Sequence, residues 1–317
     1  MMSVIVPEDI GRAADGRAAD GRAAGGQRSA RRPPSARAMM SHWTGWGQWL
    51  ALITMTVDHI TRYLLPDSWD AGWASSSIGR IAFPLFSAMV AWHGLFNTRS
   101  PLRYAKRILI IGLVAQLPYM TMPRDGFQLN ICFTLAAGLA AGILLRDLVF
   151  RNQVFRNQVF RDLSINDGAF QPFSSHHRPL DQSRISSTPK GLAIASLVML
   201  GVAWWVLGDW VEYGHQGLVM IPLYMLAFAG VAGSDADRFT GLAAAASALP
   251  VLLNAGLMNS SEMAKGFTVA TTLTLVLLAA GAWRWVPRVI YAMPRRLWLA
   301  WYPGHFAVIA LLLHWPS

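Results

Sequence analysis

The sequence predicts an all-α fold, a polytopic bundle of about nine transmembrane helices with its N-terminus inside. Three observations predict it. Hydrophobic residues fill 54% of the 317 positions and charged residues only 14%, far from the balance of a water-soluble domain. The apolar residues come in runs of about 17 to 22, the length that crosses the hydrocarbon core of a bilayer. If the runs alternate in direction from an inside N-terminus, all of the 27 lysines and arginines fall on the inner side except Arg62, Arg80, Arg124 and Lys265, which is the asymmetry that orients membrane proteins.

Taken in order, residues 1–40 hold the small and charged repeat GRAADGRAADGRAAGG, which cannot build a core and reads as a disordered basic tail. It has no apolar stretch of the signal-peptide kind, so the first span is expected to act as an uncleaved anchor, and Met39 or Met40 is an alternative start. A single transmembrane domain then covers 41–317. Its expected spans are 46–66, 77–96, 104–121, 128–146, 191–208, 214–232, 240–258, 266–284 and 296–315. A long cytoplasmic loop at 147–190 opens on the repeat RNQVFRNQVFRD. His176 and His177 in that loop have no carboxylate or thiolate beside them, and no metal site is expected. The net charge of +10 is spread over the loops, so the partner it implies is the lipid bilayer and its anionic headgroups, not nucleic acid. The one cysteine, Cys132, excludes an internal disulfide framework. Trp43, Trp46, Trp69, Trp73, Trp210, Trp283, Trp285, Trp298 and Trp315 lie near span ends, where interfacial belts form.

Polar groups inside spans carry the functional information, because a charge at the bilayer centre costs about 2.5 to 3.5 kcal/mol on insertion scales and needs a partner or a cavity. TMTVDHITRY puts Asp58 and His59 inside the first span, with Arg62 and Tyr63 one turn on. One reading is a self-neutralised Asp58–Arg62 pair that holds the bundle; the other is an imidazole set by Asp58 and working as a general base. In the second span Arg80 can approach Asp58, Pro84 is expected to kink the helix and open a cavity, and His93 near the other end reads as structural. Gln116 and Pro118 fall toward the outer end of the third span, and Asn130 begins the fourth. GDWVEYGHQGL brings His215 and Gln216 to the same outer face, with Asp209 and Glu212 as solvated loop carboxylates. In WYPGHF, Tyr302, Pro303 and His305 suggest local unwinding around a cavity. His314 is expected at the interface.

The segments VDHI, GRIAFPLF, RYAKRILIIGLVAQLPY, LNICFTL, YGHQGLVMIPLY and YPGHF, in this order, resemble the TraX family of conjugative-transfer membrane proteins and, more remotely, the multipass membrane acyltransferase superfamily. The resemblance implies acyl transfer from acetyl-CoA as co-substrate to an amine or hydroxyl, with the N-terminus of a pilin subunit as acceptor, in the bacterial inner membrane. It also implies that His59 and Arg80 match an expected intramembrane histidine and following arginine. On this footing His59 is the expected base, Asp58 its orienting partner and Arg80 the oxyanion stabiliser, or the holder of a phosphate or carboxylate. Gln116, His215, Gln216, Tyr302 and His305 are expected to line the substrate cavity, and Cys132 has no catalytic role. The polar groups map to the outer half while acetyl-CoA is cytosolic, so either its arm enters by a tunnel from the basic inner face or the acetyl group is relayed across. The rival readings are a proton-coupled transporter and a non-enzymatic component of a conjugation or secretion apparatus.

Overall fold

The apolar runs become helices wherever the sequence places them among the described residues. The computed structural model describes residues 42–98, 100–124, 126–151, 190–232, 246–251 and 261–315. Its longer helices are α1 (His42–Tyr63), α2 (Ala82–Trp92), α3 (Pro101–Met120), α4 (Ile131–Arg151), α5 (Lys190–Gly208), α6 (Gly214–Ala232), α7 (Glu262–Ala279) and α8 (Arg295–Leu313). No strand occurs among these residues. One isolated bridge, Leu129 to Val211, ties the α3–α4 loop to the α5–α6 loop.

Sequence dictates which helix is central. α2 is apolar all round (AFPLFSAMVAW), and every residue of it except Phe86 is buried, as expected of a helix with no polar face to offer water. α1, α6 and α7 pack on it; α3 pairs with α4 and α8, and α4 pairs with α6. Small residues set the closest approach: a Cβ at Gly142 of α4 would fall 2.5 Å from Met225 Sδ of α6, so glycine lets these helices touch. The outward faces are apolar instead of charged. Ile194, Leu197, Val198, Met199, Val202 and Trp205 of α5 are all exposed, a surface that water does not tolerate at this extent and lipid does.

This is an all-helical membrane protein. The segments Gly72–Asn97, Glu262–Ala279 and Arg295–Leu313 are long and apolar enough to cross a bilayer, and Ile131–Arg146, Ile194–Gly208 and Gly214–Ala229 are shorter apolar helices. The tail 1–40, His176, His177, most of the loop 147–190 and most of the expected span 240–258 lie outside the described residues.

Several local expectations are corrected. The span expected at 77–96 is a composite: a 3-10 turn Ile78–Ile81, then α2, then a π-type turn His93–Asn97. Pro84 therefore stands in the first turn of α2, where a missing N–H costs no hydrogen bond, and it need not kink anything. Pro303 does not unwind α8, which stays helical from Arg295 to Leu313, because one lost ladder bond leaves the remaining turns intact. Trp43 leaves the interfacial belt for the core, edge-on to Trp92 at 5.6 Å, whereas Trp69, Trp73, Trp285 and Trp315 are exposed near helix ends as expected.

Candidate active site

The site forms where α1 meets α8. His59 Nδ1 lies 2.7 Å from His305 Nε2, the ring planes 3° apart, and both residues are buried. His305 Nδ1 in turn lies 2.9 Å from the Trp301 carbonyl, one turn back on α8. A carbonyl only accepts, so this contact places a proton on His305 Nδ1 and leaves Nε2 of a neutral ring as an acceptor. His59 Nδ1 must then donate, and His59 Nε2 carries the free lone pair. Phe306 packs on both imidazoles, 4.6 Å from His59 and 4.3 Å from His305 between ring centroids, which keeps the pair dry.

Asp58 does not orient His59. Their closest approach, Oδ2 to Nε2, is 3.9 Å, beyond hydrogen-bond range, because adjacent residues on a helix point in different directions. Asp58 Oδ1 instead accepts from Arg62 Nη2 at 3.2 Å and from the Ser75 hydroxyl. Its seat requires Gly79, where a Cβ would fall 2.6 Å from Asp58 Oδ1. Arg80 forms no ion pair with Asp58 among the described residues; its Nε is buried without a hydrogen-bond partner. It sits in the 3-10 turn before α2, within electrostatic reach of Tyr213.

Beyond Asp58 the same end of the bundle holds a charged cluster that sequence reasoning missed. Arg124 donates to Tyr63 Oη at 2.7 Å and lies 3.4 Å from the Tyr119 ring centroid. Glu212, expected in water, reaches inward and accepts from the backbone N–H of Ile131 at 2.9 Å, at the positive end of α4. Burial pushes its carboxyl above the usual range, and Arg124 and Arg62 oppose that push. The Tyr119 hydroxyl faces this carboxyl without meeting hydrogen-bond geometry. The next residue, Tyr213, has a φ of 68°, a left-handed conformation that strains a bulky side chain, and its ring stacks on Phe83 at 3.8 Å.

The remaining expected site residues divide. Tyr302 joins the pair: its ring lies 5.7 Å from His305 and its hydroxyl is buried without a partner. Gln116 does not; its amide is engaged in a clamp, accepting from Asn130 N and Nδ2 at 3.1 and 2.8 Å and donating to the Gln128 carbonyl at 2.9 Å. His215 is wedged against α5, 3.1 Å from the Trp205 carbonyl and 4.0 Å from Asp209, and Gln216 is exposed. Cys132 is buried and free. His93, expected to be structural, bonds Asn97 at 2.9 Å and also lines a cavity of about 560 Å³. His314 is exposed at the end of α8.

Fold and site together define a helical membrane protein with a buried histidine pair bridging its first and last described helices. A family model described as TraX protein matches residues 47–153, about a third of the chain, in line with the resemblance. The match contains Asp58, His59, Arg80 and Gln116, and ends before His215, Gln216, Tyr302 and His305. No curated protein and no solved structure matches the chain.

Proposed function

We propose that the chain is an integral-membrane acyltransferase of the bacterial inner membrane, with nine spans and its N-terminus inside, that moves an acetyl group from acetyl-CoA to an amine or hydroxyl. By family resemblance the acceptor is the N-terminus of a pilin subunit. The observation that carries the reading is the His59–His305 pair: a dry imidazole with one nitrogen tied down and the other free is what a general base needs.

In the proposed step the acceptor nitrogen or oxygen attacks the thioester carbonyl while His59 Nε2 takes its proton. The tetrahedral intermediate collapses with cleavage of the C–S bond, and the thiolate recovers the proton from His59. His305 stabilises the transient imidazolium by accepting from Nδ1, in the way a second group orients a catalytic histidine. Arg80, whose Nε has no hydrogen-bond partner, supplies a cation to the oxyanion. Tyr302 borders the reacting carbonyl. Asp58 acts at one remove by holding Arg62 and the turn that carries Arg80.

The test is acetyl-CoA-dependent transfer or hydrolysis by detergent-purified protein, wild type against His59→Ala, with melting followed in parallel. Loss of turnover in a folded variant is the expected result. Turnover that survives His59→Ala overturns the assignment of the base. Absence of binding and turnover in the wild type with candidate acceptors present overturns the acyltransferase reading and favours proton-coupled transport.

A further inference from the structure

The segment between α7 and α8 is a strap with two unlike faces. The chain leaves α7 through Gly281, whose φ of 127° is a conformation that glycine adopts without strain. After one 3-10 turn (Ala282–Trp285) the backbone runs irregularly to the start of α8. α1 holds the strap down: Trp46 Nε1 donates to the Pro287 carbonyl at 2.8 Å and Trp49 Nε1 to the Tyr291 carbonyl at 3.0 Å. A Cβ on Gly45 of α1 would fall 3.1 Å from Val289 Cγ2, so the strap lies directly on that helix, and Met293 is buried.

The outward face is different. Trp285, Ile290 and Tyr291 are 87%, 86% and 79% exposed, more than any other large hydrophobic residue described. Arg284, Arg288, Arg295 and Arg296 are exposed among them, and none is in an ion pair among the described residues. No Asp or Glu occurs after Glu262. None of the backbone N–H groups from Arg288 to Met293 donates within the protein among the described residues. Water is a poor place for the three apolar side chains, and hydrocarbon is closed to unbonded N–H groups. The headgroup layer takes both, because aromatic and guanidinium groups settle there and phosphate oxygens accept from N–H. Charge selects what lies against this face. The two long stretches outside the described residues, 1–41 and 152–189, hold seven arginines against four carboxylates and four against three, so neither is its complement. Guanidinium groups match phosphate oxygens in paired hydrogen bonds.

We propose that the strap from Gly281 to Arg296 is a regulatory site for anionic phospholipid, with phosphate groups at its arginines and the upper acyl chains against Trp285, Ile290 and Tyr291. The strap is tied to α1 by two indoles and runs straight into α8, so bound lipid holds together the two helices that carry His59 and His305. Diffuse attraction of basic loops to the bilayer needs no particular arginine; this site needs these. The lipid site stands on the geometry alone, while its effect on turnover rests on the acyl-transfer reading.

Full-length protein in neutral detergent is melted with phosphatidylglycerol, with zwitterionic phosphatidylcholine, and with glycerol phosphate, which has the anionic head without the chains. The series is repeated on Arg284→Gln/Arg288→Gln/Arg296→Gln, and on Arg103→Gln/Lys106→Gln/Arg107→Gln, which removes three exposed cations near the start of α3, on the same side in the proposed topology. Phosphatidylglycerol is expected to protect the wild type and the α3 variant alike, and to need at least about tenfold higher concentration in the strap variant. Equal protection of the strap variant, equal loss in the α3 variant, or equal protection by phosphatidylcholine or glycerol phosphate overturns the site. In nanodiscs, acetyl-CoA-dependent turnover by the wild type should rise when phosphatidylglycerol is added to phosphatidylcholine, and turnover by the strap variant should not. Turnover that ignores phosphatidylglycerol while the melt responds to it overturns the regulation and leaves acyl transfer standing. Arginine-dependent protection without turnover in any lipid keeps the site and sinks the reaction.

Discussion

Replacing His305 tests the proposed base most directly, because the substitution acts on His59 through a single contact of 2.7 Å. His305→Ala leaves His59 Nδ1–H buried with no acceptor. A buried donor left unsatisfied costs about 1 to 3 kcal/mol, so part of the effect appears in the melt. The larger effect is on chemistry: without its acceptor His59 is free to take the other tautomer, with the proton on Nε2, where it cannot act as base. Loss of the orienting partner of a catalytic histidine lowers kcat by up to about 10⁴-fold in the well-studied serine protease triad, and a drop of about 10² to 10⁴ in kcat with little change in KM is expected here. His305→Gln separates orientation from bulk, since its Oε1 can accept from His59 while its Nε2 donates to the Trp301 carbonyl. It should recover to within about tenfold of wild type. The assay is acetyl transfer or hydrolysis by protein in detergent, with ¹⁵N shifts of the imidazoles reporting the His59 tautomer independently of turnover. Full activity in folded His305→Ala, or a His59 carrying its proton on Nε2 in the wild type, refutes the reasoning.

Three other outcomes follow from the geometry. Gln116→Leu removes an amide that makes three hydrogen bonds; stability should fall by about 2 to 4 kcal/mol, while turnover per folded molecule stays within about twofold, which a substrate-binding role would not permit. Glu212→Gln tests the raised carboxyl: the native state holds that proton more tightly than the unfolded chain, so stability should decline as pH rises above the ordinary value of 4.5, and melting curves of the variant should lose that part of the pH dependence. Gly79→Ala drives a methyl against the Asp58 carboxylate; it should melt lower by about 1 to 3 kcal/mol and lose activity, and an unchanged melt would show that the 78–81 turn can move away.

The helix positions were legible because lipid-length apolar runs are a one-dimensional signal. His59 and Arg80 stand out in the sequence as polar residues among apolar runs. The partner of His59 was not legible, since His305 lies 246 residues away and helix rotation is decided only by packing. Asp58, the natural choice from sequence, comes only within 3.9 Å of His59, as neighbours on a helix diverge by about 100°. The same ignorance of rotation moved His215 onto α5 and Gln216 to the surface. Glu212 looked solvated because it sits in a short polar connection; only the strained turn at Tyr213 and the start of α4 draw it inward. One signal was available and unused: of the four cations that broke the inside rule, Arg62 and Arg124 stand around the Asp58–Glu212 end of the site and Arg80 stands beside it.

The bridge between α1 and α8 also fixes when the histidine site can first close. Helices enter the bilayer in the order they are synthesised, and α1 is among the earliest to arrive. Its His59 waits through the insertion of every intervening segment with its donor nitrogen unmatched, and the pairing closes only when residue 305 has left the ribosome. A chain stalled or clipped before that point holds the whole stretch matched by the TraX family model, His59 included, and still lacks the partner that orients it. On the proposed mechanism, activity reports completed biosynthesis, and a half-made copy in the membrane is silent.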